Sequence, residues 1–211
     1  MKDYIIPQLV KYKNSDDLLN NGGKPRSLFD DHRDDISIAN LLNENFVCIV
    51  GEPGIGKSRL IEEIKKTLSK DSFLSCTASE FSTEVTSNEI EYCIIDALDE
   101  VEEYRFYKTL QSIKQYKGDN PDVKVLFTCR KHYVASYAQH FASCKELAYA
   151  ELLRLKDADV ERVINECAPN IKSHVLKSTK LRELLTNPRY LTFLLKYAEQ
   201  KKEISNIGEL F

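Results

Sequence analysis

Eight consecutive residues, Gly51-Glu52-Pro53-Gly54-Ile55-Gly56-Lys57-Ser58, set three glycines, a lysine and a hydroxyl at the spacing G-x-x-x-x-G-K-[ST]. That combination suits the phosphates of a nucleotide. The glycines let the backbone curl so that successive N–H groups point inward, and a helix starting beyond them adds its partial positive end. Lys57 is expected to reach the β- and γ-phosphates, and the Ser58 hydroxyl to help hold Mg²⁺. Arg59 belongs to the same expected binding segment. Three acids and an arginine elsewhere supply further chemistry. Asp96 closes the apolar run Tyr92-Cys93-Ile94-Ile95, at the strand end where open parallel sheets bind ligands. It suits the Mg²⁺ shell, reached through a water. Asp99 and Glu100 follow in the turn leaving that strand, and one of them is expected to orient or deprotonate an attacking water. The same acids would also suit a helix N-terminus through its dipole, and the pattern leaves the choice between them open. Arg130 ends another apolar run and can read a phosphate bidentately, then respond to its loss.

These residues need elements to hold them. Phe46-Val47-Cys48-Ile49-Val50 reads as a buried parallel strand entering the glycine turn. Residues 59–68 read as the helix leaving it, with Leu60, Ile61, Ile64 and Leu68 on one face. Residues 72–77 and 91–95 read as strands, with a polar loop or short helix over 78–89. Residues 101–117 read as a helix with Val101, Tyr104, Leu110 and Ile113 apolar, stopped by Gly118-Asp119-Asn120-Pro121. A strand over 122–128, a helix over 133–141 and a candidate fifth strand at 145–147 complete an α/β core. A helix is also expected before the first strand, entered at 27–33 and carrying Ile36, Ile38, Leu41 and Leu42. From about Asp157 the pattern is helical only, and Pro188 suits the first turn of the last helix, where no backbone donor is needed. The expected organisation is a lead-in over 1–26, a nucleotide-binding core over 27–150 and a helical subdomain over 151–211.

Composition narrows the function classes. The chain has 211 residues, 42% of them hydrophobic and 30% charged, as in ordinary globular proteins rather than disordered ones. A net charge of −3 with scattered basic residues gives no nucleic-acid surface. There is no signal-peptide pattern and no apolar stretch of the ~18 residues that a membrane span needs, so a cytoplasmic protein without a membrane partner is expected. The six cysteines contain no C-x-x-C pair, and most lie in or near apolar runs, as small buried thiols would.

Together these motifs resemble the STAND class of P-loop NTPases, and its NACHT group most closely. The likeness rests on GEPGIGKS at 51–58, the Walker B variant IIDALDE at 94–100 and a strand ending in TCR at 128–130, similar to that family's sensor strand. Asn187-Pro188 followed by Leu191 and Leu194 is a softer match to the helical-domain motif whose proline lies near the adenine. The resemblance covers about residues 27–211. It implies a three-layer parallel sheet with the sensor strand between the P-loop and Walker B strands, then a helical lid. It also implies ATP or ADP with Mg²⁺ as cofactors, Pro188 near the base, self-association through the NTPase domain, and an unidentified sensor or effector partner in signalling or defence. The sequence departs from the family in three ways. Lys57 and Asp96 are only 39 positions apart, so a helix between the second and third strands is expected to be missing. Arg189 and Tyr190 stand where apolar residues are usual. The winged-helix domain that the family carries next would lie beyond residue 211, which makes a fragment of a longer protein the expectation.

The expected function is an ATP-binding, slowly hydrolysing switch. An AAA+-type motor is the alternative, although such motors usually place Glu directly after the Walker B Asp and Ala97 stands here. A P-loop kinase fits less well, and a nucleotide-binding scaffold without turnover stays open.

Overall fold

A computed structural model describes residues 9–12, 34–35, 37–83, 90–144, 146–172, 175 and 178–200. The chain divides into two compact units. One runs over Leu9–Pro53 and Lys57–Leu152; the other takes in Gly54–Gly56 and the described residues from Leu153 on.

The first unit is built on one sheet. Its strands are β1 (Leu9–Tyr12), β2 (Asp34–Asp35), β3 (Phe46–Gly51), β4 (Phe73–Thr77), β5 (Tyr92–Asp96), β6 (Lys124–Arg130) and β7 (Ala148–Leu152), in the order β2-β1-β7-β3-β6-β5-β4. The five strands from β7 to β4 are parallel. The strand carrying Arg130 lies between the P-loop strand and the strand ending in Asp96, which is the P-loop NTPase arrangement that the resemblance implied. All six residues of β3 are buried, as a central strand covered on both faces requires. Between the strands run α1 (Ile38–Leu41), α2 (Lys57–Thr67), α3 (Glu103–Asp119), α4 (Lys131–Ser136) and α5 (Ala138–Ala142). Helix α2 buries Leu60, Ile61 and Ile64, and each such side chain contributes about 1.5–3 kcal/mol on leaving water. Helix α3 sends Phe106, Leu110, Ile113 and Tyr116 into a cluster with Cys48, Val50, Phe127 and Phe141.

Several expectations need correction. Asp34 and Asp35 form a strand rather than part of a helix, and only Ile38–Leu41 of that segment is helical among the described residues. The entry to that helix, residues 27–33, lies outside the described residues. Tyr104 is 80% exposed, off the α3 stripe at 106, 110, 113 and 116. The last parallel strand is Ala148–Leu152, later than 145–147, because its register is set by pairing with β3 and β1. Cys48, Cys93, Cys129 and Cys144 are buried, but Cys76 is half-buried and Cys167 exposed, and all six are free thiols. Burial pushes the Cys48 and Cys129 thiols up, which keeps them protonated and unreactive. Between β4 and β5 residues 78–80 are a turn, and 84–89 lie outside the described residues.

The helical unit contains α6 (Asp157–Cys167), a 3₁₀ turn at Pro169–Ile171, α7 (Thr179–Leu185) and α8 (Pro188–Gln200). Its core joins Val160, Val163, Ile164, Leu181, Leu185, Leu191 and Leu194. The ends are capped locally. Asp157 and Asp159 sit in the first turn of α6, and the Ser178 hydroxyl accepts a bond from Leu181 N–H at 3.2 Å. Asn187 Oδ1 accepts one from Arg189 N–H at 3.0 Å, and Pro188 follows at the first helical position. Among the described residues no helix is long and apolar enough to cross a membrane.

Candidate functional site

Strand β3 ends at the buried Gly51, and α2 begins at Lys57, so the glycine loop spans strand end to helix N-terminus. Gly54 has φ +75° and Gly56 φ +109°, the left-handed region that strains any L side chain. A Cβ on Gly54 would also lie 2.8 Å from the Cβ and Cδ of Arg189, so glycine is required there twice over. Ile55 is buried at 1% exposure and anchors the loop, while Glu52, Pro53 and Ser58 are exposed. Lys57 Nζ donates to the carbonyls of Gly51 at 3.0 Å and Glu52 at 3.3 Å. Arg59 pairs along its own helix with Glu63 at 2.9 Å. Pro188 opens α8 in the helical unit.

The second half of the site is made at the carboxyl ends of β5 and β6. Asp96 ends β5, and the chain then bends sharply: Ala97 adopts φ +61°, ψ +49° and leads into a 3₁₀ turn at Leu98–Glu100. The bend separates the two candidate acids. Asp99 turns inward, its side chain 3% exposed, and Glu100 turns out to solvent. Asp99 Oδ2 meets Arg130 Nε at 2.7 Å, in a charge-assisted pair with the last residue of β6. Asp99 Oδ1 is buried and has no hydrogen-bond partner. An oxygen left in that condition costs about 1–3 kcal/mol, so a further donor there, from a water or a ligand, would be favoured.

Two more side chains belong here that sequence reasoning missed. Thr128 is fully buried and donates to Asp96 Oδ1 at 2.5 Å, while its oxygen accepts from Ala97 N–H at 2.7 Å. Its signal in the sequence was a lone hydroxyl inside an otherwise apolar central strand. Glu151 is buried on β7, opposite Val50 of the P-loop strand, and pairs with Lys131 at 2.9 Å. Only the fold brings those two together.

The two halves share one electrostatic neighbourhood. Gly51 is in register with Arg130. Burial holds the Lys57 ammonium below its ordinary 10.5; Asp99 opposes that shift, Arg130 adds to it, and Asp96 opposes it more weakly. Asp96, Asp99 and Arg130 thus all lie within electrostatic reach of the Lys57 ammonium. The Ser58 hydroxyl and the Asp96 carboxylate are hard oxygens of the kind that would suit a Mg²⁺ shell, directly or through a water. Among the described residues no group of three or more His, Cys, Asp or Glu could hold a metal. Mg²⁺ suits such a site, since it usually takes one or two protein oxygens and completes its shell with phosphates and waters.

No protein-family model matches the chain, and no curated protein matches it. Solved structures do. One is the closed state of Hsp104 with ATPγS and FITC casein, at 13% identity and a TM-score of 0.41, covering 65% of this chain and 29% of that one. Another is the RuvB Holliday junction branch migration motor of Thermotoga maritima, at 14% identity and a TM-score of 0.41, covering 79% of this chain and 59% of that one. This chain thus covers less than two thirds of either of those chains, and likeness at that level assigns it no activity.

Proposed function

We propose that the protein binds ATP–Mg²⁺ at the loop 51–58 and hydrolyses it slowly, as a signalling switch of the STAND/NACHT type. The observation that carries this reading is the pair that buried Asp99 makes with the half-buried Arg130, within electrostatic reach of Lys57. A glycine loop alone would support phosphate binding. A buried carboxylate with one oxygen unpartnered, held by a cation beside the phosphate lysine, supports turnover.

In this reading the loop N–H groups and Lys57 bind the β- and γ-phosphates, while Ser58 and Asp96 supply protein oxygens to the metal shell. Mg²⁺ supplies charge neutralisation on the phosphates. Asp99, rather than Glu100, orients the attacking water and takes its proton through Oδ1. Arg130 stabilises charge at the γ-phosphate and registers its loss. The helical unit, with Pro188 beside the base, serves as a lid whose closure controls self-association or output to a partner in a cytoplasmic defence pathway.

The test is nucleotide titration with a fluorescent ATP analogue, followed by ADP release and light scattering. Wild type should bind, release ADP slowly and change its association state with ATP. Lys57→Ala should lose about 100-fold in affinity, the upper end for a charge-assisted contact. Affinity that stays within about tenfold of wild type in that variant would sink the reading. ATP-driven hexamers would favour an AAA+-type motor, and binding without ADP release a scaffold.

A further inference from the structure

The proton accounting at Thr128 is closed, and this gives the residue a role. Ala97 N–H can only donate, and it donates to Thr128 Oγ1 at 2.7 Å. The hydroxyl has one proton, and the carboxylate oxygen of Asp96 at 2.5 Å can only accept it. Both bonds have one possible direction, so the side chain is locked. One oxygen of Asp96 is thereby committed to Thr128, which leaves Oδ2 to serve a metal shell. The same hydroxyl pins the Ala97 amide in its left-handed bend, the turn that carries Asp99 inward to Arg130. Two polar rungs therefore join the ends of β5 and β6, Thr128 to Asp96 and Arg130 to Asp99.

We propose that Thr128 is a positioning residue for metal-dependent nucleotide binding: its hydroxyl fixes the Asp96 carboxylate and the bend after it, so that one carboxylate oxygen is presented to the Mg²⁺ of the bound nucleotide. The proposal rests on the ATP–Mg²⁺ reading above. Without the hydroxyl, Asp96 gains rotational freedom and Ala97 N–H loses its partner, while the glycine loop and Lys57 are unaltered.

The experiment is a titration of a fluorescent ATP analogue into the full chain, once in EDTA and once across a MgCl₂ series. It compares wild type with Thr128→Val, which keeps the shape without the hydroxyl, and Thr128→Ser, which keeps the hydroxyl. In Thr128→Val the half-saturating Mg²⁺ concentration should rise about tenfold, as for loss of one charge-assisted hydrogen bond, with affinity in EDTA unchanged. Thr128→Ser should stay within about twofold of wild type, since the hydroxyl persists. An unchanged Mg²⁺ requirement in Thr128→Val overturns the proposal. So does an equal loss with and without Mg²⁺, which would mean a role in folding alone. A wild type that fails to bind in EDTA and in Mg²⁺ would instead overturn the nucleotide reading itself, and the two failures are therefore distinguishable.

Discussion

The two halves of the site are built by opposite means. In the loop 51–58 Lys57 donates to carbonyls five and six residues away, and the left-handed glycines shape the backbone locally. At the ends of β5 and β6 the contacts are side chain to side chain or side chain to bend, and they join residues 31 and 32 positions apart. The loop is a local object that a short sequence could specify. The strand-end cluster exists only when the sheet is assembled. Binding should therefore tolerate changes that abolish chemistry, and the fold should be more sensitive to the cluster than to the loop.

The largest expected effect tests the first half of that statement. Asp99→Asn should lower single-turnover ATP hydrolysis about 1,000-fold, in the range for loss of a positioned base, with nucleotide affinity nearly unchanged. Glu100→Gln, on the exposed side of the same turn, should alter hydrolysis less than about threefold, because an exposed acid contributes little. Equal losses in both variants would end the distinction between the two acids. Next in size is Arg130→Ala, which leaves Asp99 buried without its cation. Breaking a fully buried pair costs about 3–5 kcal/mol, and the 35% exposure of Arg130 reduces the expectation to about 2 kcal/mol, read by chemical denaturation. A loss no larger than that of Arg59→Ala would mean that the cluster carries no special weight in the fold. The smallest effect is a pH profile. Lys57 is held below 10.5 chiefly by burial, and phosphate needs its charged form. ATP affinity should be full at neutral pH and fall as pH rises through that lowered value, before ordinary lysines discharge. Stability runs the other way, since the unfolded chain binds the proton more tightly and the penalty lifts as pH climbs. Affinity that stays flat until ordinary lysines titrate would place Lys57 in water.

The same contrast governs what could be read from the sequence. The loop, its flanking strand and helix, and Asp96 at a strand end were legible because each depends on spacing over a few residues. The pair Asp99 and Glu100 was legible as a pair only. Their different surroundings follow from the bend at Ala97 and from Arg130, which the sheet brings near Asp99. Ala97 itself sits at φ +61°, a conformation that costs about 1–2 kcal/mol for any residue with a Cβ, and Asp99 follows after that bend. Strand β7 was misplaced because Ala148-Tyr149-Ala150 has little strand propensity of its own, and pairing on both edges overrides that. The antiparallel β1 was not anticipated at all, since four residues next to turn-rich sequence show no period.

That first strand has a consequence for how the protein is made. Val10 pairs with Glu151, so among the described strands of the sheet the first to leave the ribosome joins the last to be made. At about 5–20 residues per second the wait is on the order of ten seconds. Strand β3 waits as well, since both of its neighbours, β6 and β7, lie downstream of it. During that interval the growing chain exposes apolar strands with unpaired edges, the condition that chaperones guard against. The N-terminal strand is thus a late seal on the sheet rather than its nucleus.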